Sequence, residues 1–135
     1  MRDLLPDEAG ELLQRRFAVI QTWQPIETVR HRPLCICDAR SMAPEDLIAT
    51  ERRHPGRVGE IHHIAHNPAH RWYWVPQMQP DEAYVFKTYD SVTDGHARFT
   101  AHGSFEDPTA PPDAPPRESS ELRTLAFFAP DAETG

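Results

Sequence analysis

His102 and, fifteen residues later, Arg117-Glu118-Ser119 are the residue types in this chain best suited to act together. An imidazole is a metal ligand, and a guanidinium gives a carboxylate a two-pronged, charge-assisted grip. Arg117, Ser119, Glu121, Arg123, Leu125 and Phe127 alternate along one predicted strand and so share a face. Arg117 and Ser119 can then reach one carboxylate together, and Arg123 on the same face is the rival clamp. The plainer alternative is that these arginines are rim charges paired with Glu118 or Glu121. A metal held by two histidines and one carboxylate also needs a His and an Asp or Glu two residues apart. The chain has eight histidines, and none is followed at +2 by Asp or Glu.

The other candidates are weaker. In Glu60-Ile61-His62-His63-Ile64-Ala65-His66-Asn67-Pro68-Ala69-His70, the spacing of His62, His66 and His70 would stack three imidazoles on a helix. Asn67-Pro68 breaks such a helix. On a strand, His62 and His66 lie about 13 Å apart at roughly 3.3 Å per residue and cannot share a metal. Glu60 and His62 form a reversed carboxylate–histidine pair. His70-Arg71-Trp72-Tyr73-Trp74 reads either as core packing or as a pocket wall, with Trp72 and Trp74 facing a flat, greasy substrate. Phe86-Lys87-Thr88-Tyr89-Asp90-Ser91 places Lys87, Tyr89 and Ser91 on one side of a strand. An inward Lys87 requires an anionic partner, because a buried lone ammonium is costly; surface placement is the alternative.

These residues need strands to position them. Pro6 to Arg16 predicts a short helix, with proline and acids at its start and arginines at its end. Strands are expected at Phe17–Trp23 and Pro33–Cys37, then a loop over Ser41–Arg57 with at most one helical turn near Pro44-Glu45-Asp46. Glu60–His66 and His70–Val75 read as a hairpin around Asn67-Pro68-Ala69. Further strands are expected at Ala83–Tyr89, Ala97–Ser104 and Ser119–Phe128, with an extended proline-rich loop over 106–118. Several short strands separated by turn signals predict an antiparallel sandwich or barrel. One domain is expected over 1–130, with 131–135 as a disordered acidic tail.

Composition narrows the classes. With 14 basic and 21 acidic residues the net charge is −7, which argues against a nucleic-acid footprint. No apolar run approaches the roughly 20 residues of a membrane span, and the N-terminus does not read as a signal peptide. Cys35 and Cys37 share a strand face without bridging, as reduced packing residues of a cytoplasmic protein. Fourteen prolines against six glycines favour short strands and stiff turns.

Several segments together resemble a family of fungal and bacterial secondary-metabolism proteins. It is typified by the fungal gibberellin desaturase, the cephamycin 7α-methoxylation component CmcJ and the meroterpenoid endoperoxidase NvfI. The resemblance runs through Trp23-Gln24-Pro25-Ile26, Pro33 to Ser41, Asn67 to Tyr73 and Phe86 to Ser91. It is densest in Ala97 to His102 and Asp107 to Arg123, and extends over residues 4 to 128. Gly103, Trp74 and His62-His63 depart from the family's pattern.

The resemblance implies the C-terminal part of a double-stranded β-helix, mainly β and jelly-roll-like, with a short N-terminal helix. It implies an oxygenase using Fe(II) and 2-oxoglutarate on a small secondary metabolite, by hydroxylation, desaturation or peroxidation. His102 takes the distal metal-ligand position, and Arg117 or Arg123, with Ser119, the co-substrate position. Trp72, Trp74, Lys87 and Tyr89 are expected to line the substrate pocket. Family members are longer, with their His-x-Asp pair just upstream of the segment matching Arg2 to Pro6. The expectation is therefore a truncated chain with negligible turnover alone, associating through an exposed sheet edge as a homodimer. A stand-alone, non-catalytic β-domain that binds a small ligand or a partner is the alternative.

Overall fold

The computed structural model describes residues 5–129, so the tail expected at 131–135 lies outside the described residues. Helix α1 (Ala9–Leu12) leads into β1 (Phe17–Pro25) and β2 (Leu34–Cys37). Two 3-10 turns (Ala39–Ser41 and Pro44–Asp46) precede β3 (Leu47–His54) and β4 (Arg57–Ile64). Then come β5 (Trp72–Trp74), β6 (Tyr84–Asp90), β7 (His102–Ser104) and β8 (Ser119–Phe127). All pairings are antiparallel: one sheet runs β6-β1-β8, a second β5-β2-β7, and β3-β4 is a separate hairpin. Among the described residues no helix is long and apolar enough to cross a membrane.

The two sheets face each other across an apolar layer. Trp23 of β1, Leu34 of β2 and Phe86 of β6 are buried together with Val29 and Met78, and Ile36 and Tyr84 pack against them. Alternation in β1 supplies the inner side: Phe17, Val19, Gln21 and Trp23 point one way, Ala18, Ile20 and Thr22 the other. The fold is a fragment of a jelly-roll sandwich, mainly β, as expected from the resemblance.

Three local expectations are corrected. The helix is four residues long, not eleven; after Leu13 N–H bonds Ala9 O, the chain tightens to i+3 bonds at Gln14 and Arg15. Residues 47–54 form a strand rather than a loop. β3 pairs β4 across Pro55-Gly56, where Gly56 takes a φ of 76° that favours glycine. β3 is polar because most of it faces water on both sides. The Asn67-Pro68-Ala69 turn joins no hairpin, since β5 pairs with β2.

That turn instead brackets the base of the β3–β4 hairpin. Asp46, just before β3, is buried and receives the Ala43 N–H at 2.9 Å. It also receives Asn67 Nδ2 at 3.2 Å and His70 Nε2 at 2.9 Å from just beyond β4. The Ala65 N–H closes the bracket on Asp46 O at 2.8 Å.

The β1–β6 ladder carries a β-bulge. Val19 pairs Tyr89 but Ile20 pairs Lys87, which leaves Thr88 without a partner. The extra residue reverses the alternation. Tyr89 consequently shares the inner face of Val19, and Lys87 shares the outer face of Ile20. Lys87 and Tyr89 were expected on one side; the bulge parts them. It also brings Lys87 Nζ to 2.8 Å from Asp90 Oδ2, so the anion that Lys87 requires is the chain's own.

Asp90 is 2 % exposed and gathers Arg16 Nη2 at 3.0 Å, Lys87 Nζ and the Val92 N–H at 3.1 Å. Burial pushes its carboxyl up, but the Arg16 and Lys87 hydrogen bonds outweigh that and hold it well below the usual carboxylate range. With a depressed folded-state pKa, its contribution is complete above the unfolded value of about 3.9. It drains away as pH falls below that value. Asp90→Asn is expected to cost about 2–3 kcal/mol at pH 7 and to flatten the acid side of a stability–pH profile measured by chemical denaturation. An unchanged acid slope would rule Asp90 out as the source.

Candidate functional site

A cavity of about 430 Å³ opens between the two sheets, under the β3–β4 hairpin. β7 and the residues before it supply His102, Ala101, Thr100 and Phe99 to its wall. The β6-β1-β8 sheet supplies Thr88, Tyr89 and Arg123, and the hairpin supplies Leu47, Glu60, Ile61, His62 and Ile64.

His102 opposes Ile36 of β2, which aims it between the sheets. Its ring lies 4.8 Å from that of Phe86, centroid to centroid, and its Nδ1 is 2.8 Å from Thr100 O. A carbonyl only accepts, so Nδ1 carries a proton, and in the neutral ring Nε2 keeps its lone pair. This is how a ligating histidine is usually held, with one nitrogen fixed by a backbone acceptor and the other free for a metal.

Arg123 reaches the cavity from β8. Its Nε donates to Gln21 Oε1 at 2.8 Å, directly across the β1–β8 ladder, and its Nη2 lies 2.9 Å from Glu121 Oε1. Tyr89 belongs to an aromatic run: Phe17 stacks on it at 5.5 Å, and Phe99 meets it edge-on at 5.9 Å. Arg98 lies 5.2 Å over the Tyr89 ring and donates to its hydroxyl at 3.2 Å.

The structure separates the remaining candidates from this cavity. Arg117 sits 5.1 Å over the Trp23 ring and donates to Arg32 O at 2.5 Å, and burial lowers its guanidinium pKa. It closes one end of the core and leaves Arg123 as the arginine beside His102. Ser119 is exposed at the far end of β8, opposite Pro25. Trp72 and Trp74 line a shallow apolar groove with Cys35, Gly103 and Phe105. The register explains this: Ile36 opposes both His102 and Tyr73, so the flanking tryptophans turn to the other face of the sheet. Cys35 and Cys37 are buried free thiols on that same side.

Of the eight histidines, His62 joins His102 in the cavity, packed 5.1 Å from Phe99 and with Nε2 4.0 Å from Glu60 Oε1. Even so, no group of three His, Cys, Asp or Glu side chains among the described residues could hold a metal ion. Sequence reasoning missed Phe86 and Thr100, which hold the imidazole, and Gln21, which holds Arg123. A glutamine at an inward position of a central strand was the available signal for the last.

The family described as the oxidoreductase/YMDC permease-like domain matches residues 1–127. The hydroxylase/desaturase asaB of Aspergillus flavus is 38% identical over 135 residues, spanning 90% of this chain and 60% of its own. The Fe(II)/2-oxoglutarate-dependent dioxygenase nvfI of Aspergillus novofumigatus is 35% identical over 127 residues, spanning 92% of this chain and 45% of its own. A solved structure of the iron and alpha-ketoglutarate-dependent endoperoxidase NvfI superposes with a TM-score of 0.82 at 33% identity. That match covers 93% of this chain and 47% of the other. The chain spans about half the length of the curated relatives it matches.

The Thr100 contact fixes a tautomer, and nitrogen NMR reads it. In its neutral form, His102 is expected to show a protonated Nδ1 and an unprotonated Nε2. An Nε2–H tautomer would mean the Thr100 bond is absent in solution.

Proposed function

The chain belongs to the oxidoreductase/YMDC permease-like domain family, with hydroxylases, desaturases and dioxygenases among its relatives, and from that premise we propose that it forms the co-substrate half of an oxygenase site for a small secondary metabolite. One observation supports this above the others: a single cavity brings His102, with a free Nε2, together with the guanidinium of Arg123.

In this reading Arg123 anchors the distal carboxylate of 2-oxoglutarate, and His102 is one ligand of Fe(II). Bound iron with 2-oxoglutarate would supply the oxidising power. The described residues fit the co-substrate's carboxylate but offer one of the three ligands that iron requires. A His-x-Asp pair from outside them would complete the set. Tyr89, Phe99 and Ile61 give the metabolite an apolar wall, while Trp72, Trp74 and Lys87 are left out of the pocket. Arg117 serves the core, and Ser119 is too far along β8 to share the clamp. The cytoplasm suits Cys35 and Cys37, which are free.

The chain alone is expected to bind Fe(II) weakly and to release no succinate from 2-oxoglutarate above background. Supplying the upstream segment of a longer relative, in cis or in trans, should bring tight iron binding that His102→Ala abolishes. Tight stoichiometric iron on the chain alone would overturn the ligand assignment and direct attention to Glu60 and His62. Failure of the supplied segment to raise iron affinity would favour a non-catalytic binding domain.

β8 is a nine-residue strand at the margin of its sheet, exposed over most of its length. Unpaired strand edges template association. We propose that a second copy pairs with this edge, and sedimentation is expected to show a concentration-dependent dimer. Replacing Leu125 with proline should return it to monomer, because the hydrogen bonds to β1 fall on the even-numbered residues of this ladder, the Leu125 N–H faces the free edge, and proline cannot donate there. A wild-type monomer at all concentrations would refute edge pairing.

A further inference from the structure

We propose that Gln21 is part of the carboxylate site: it orients the Arg123 guanidinium and offers its own side-chain N–H as a second donor to the carboxylate that Arg123 binds. This rests on the oxygenase reading for the identity of the ligand, though not for the ordering of Arg123.

Gln21 is 1 % exposed, the most completely buried large side chain among the described residues. Its position on β1 is central, directly opposite Arg123 on one side and Phe86 on the other. One row across the inner face therefore reads Arg123, Gln21, Phe86, and Phe86 in turn packs against His102. Oε1 accepts the Arg123 Nε–H at 2.8 Å, which fixes the plane of the guanidinium. Among the described residues Nε2 has no hydrogen-bond partner. A buried amide hydrogen without an acceptor is costly, and such groups in folded proteins nearly always have a partner. An apolar side chain of the same length would fill the space without that penalty. A glutamine here is explained when its N–H has an acceptor in the working state.

The neighbouring contacts indicate what that acceptor is. Arg123 Nη2 lies 2.9 Å from Glu121 Oε1, where both side chains are about half exposed. That pair shows a carboxylate oxygen settling at Arg123 Nη2 while Gln21 occupies Nε. A half-exposed ion pair is worth little in water and is readily exchanged. The distal carboxylate of 2-oxoglutarate would replace Glu121 on Nη2 and accept from Gln21 Nε2. Arg123 alone would be a mobile rim cation; locked by Gln21 it becomes a preorganised two-sided site.

The test separates the two roles of the amide. In nitrogen-labelled chain, the Arg123 Nε–H and the Gln21 side-chain amide are followed by NMR while 2-oxoglutarate is titrated. Wild type should show a slowly exchanging Arg123 Nε–H and a shift of the Gln21 amide on binding. Gln21→Glu keeps the acceptor and loses the donor: the Arg123 signal should persist while affinity falls about tenfold or more. Gln21→Met keeps the shape without either function and should lose both, which covers the case in which the buried glutamate does not fold. Binding by both variants at wild-type affinity, with Arg123→Lys still defective, would overturn the role of Gln21 and leave the oxygenase reading intact. If wild type shows no shift at Arg123 on titration, the oxygenase reading and the donor role fall together. A fast-exchanging Arg123 Nε–H in wild type would by itself overturn the orienting role.

Discussion

The buried carboxylate of Asp90 is the constraint around which the sandwich is organised. It closes β6, yet its partners come from three places: the cations Arg16 before β1 and Lys87 across the bulge, and the Val92 N–H just beyond the strand. Its carbonyl takes Arg98 Nε at 2.8 Å, which draws in the segment that leads to β7. Arg16 also lies 4.5 Å over the Phe128 ring, and its carbonyl accepts the Phe128 N–H. A charge with almost no access to water must keep its partners, because losing one leaves an uncompensated ion in the interior. The ends of β1, β6 and β8 are therefore fixed relative to one another at one corner of the molecule.

The bulge is coupled to that corner. Without Thr88 as an extra residue, Lys87 and Asp90, three apart, would point to opposite faces, as any such pair does in a regular strand. With it, both lie outside, and Tyr89 is turned inward to meet Phe17 and Phe99. One inserted residue thus satisfies a buried charge on the outer face and furnishes an aromatic wall on the inner one. Bulges commonly re-aim a side chain beside a site in this manner. Here the stability of the corner and the shape of the cavity cannot be varied separately.

Much of this was legible in the sequence where burial is one-sided. β1, β2, β6 and β8 were readable from apolar runs bounded by proline or turn residues, and so was the proline-rich stretch between β7 and β8. β3 was not, since Thr50-Glu51-Arg52-Arg53-His54 carries no apolar alternation when both of its faces meet water. Pro55-Gly56 was the signal that a hairpin lay there. The bulge was unreadable for a different reason: nothing in Phe86-Lys87-Thr88-Tyr89 marks which residue will lack a partner. Every inference drawn from alternation in β6 was inverted past that point. The choice between Arg117 and Arg123 also depended on geometry. Both share the parity of β8, and only the packing of Trp23 under one of them and Gln21 beside the other distinguishes them.

The cavity joins two kinds of wall with different mechanical character. His102, Arg123 and Tyr89 sit on strands of the two facing sheets, and their immediate neighbours Gln21 and Phe86 are both buried. Glu60, Ile61 and His62 come from a hairpin that, among the described residues, pairs only with itself and is anchored at its base by Asp46 and His70. Groups that must hold a fixed geometry belong on the rigid side, where packing and second contacts lock their rotamers. Groups that adapt to a ligand's shape belong on the side with few long-range contacts, where local opening is least costly. The division sets the fixed contacts of His102 and Arg123 on the sheets and leaves the hairpin as the more adaptable wall over them.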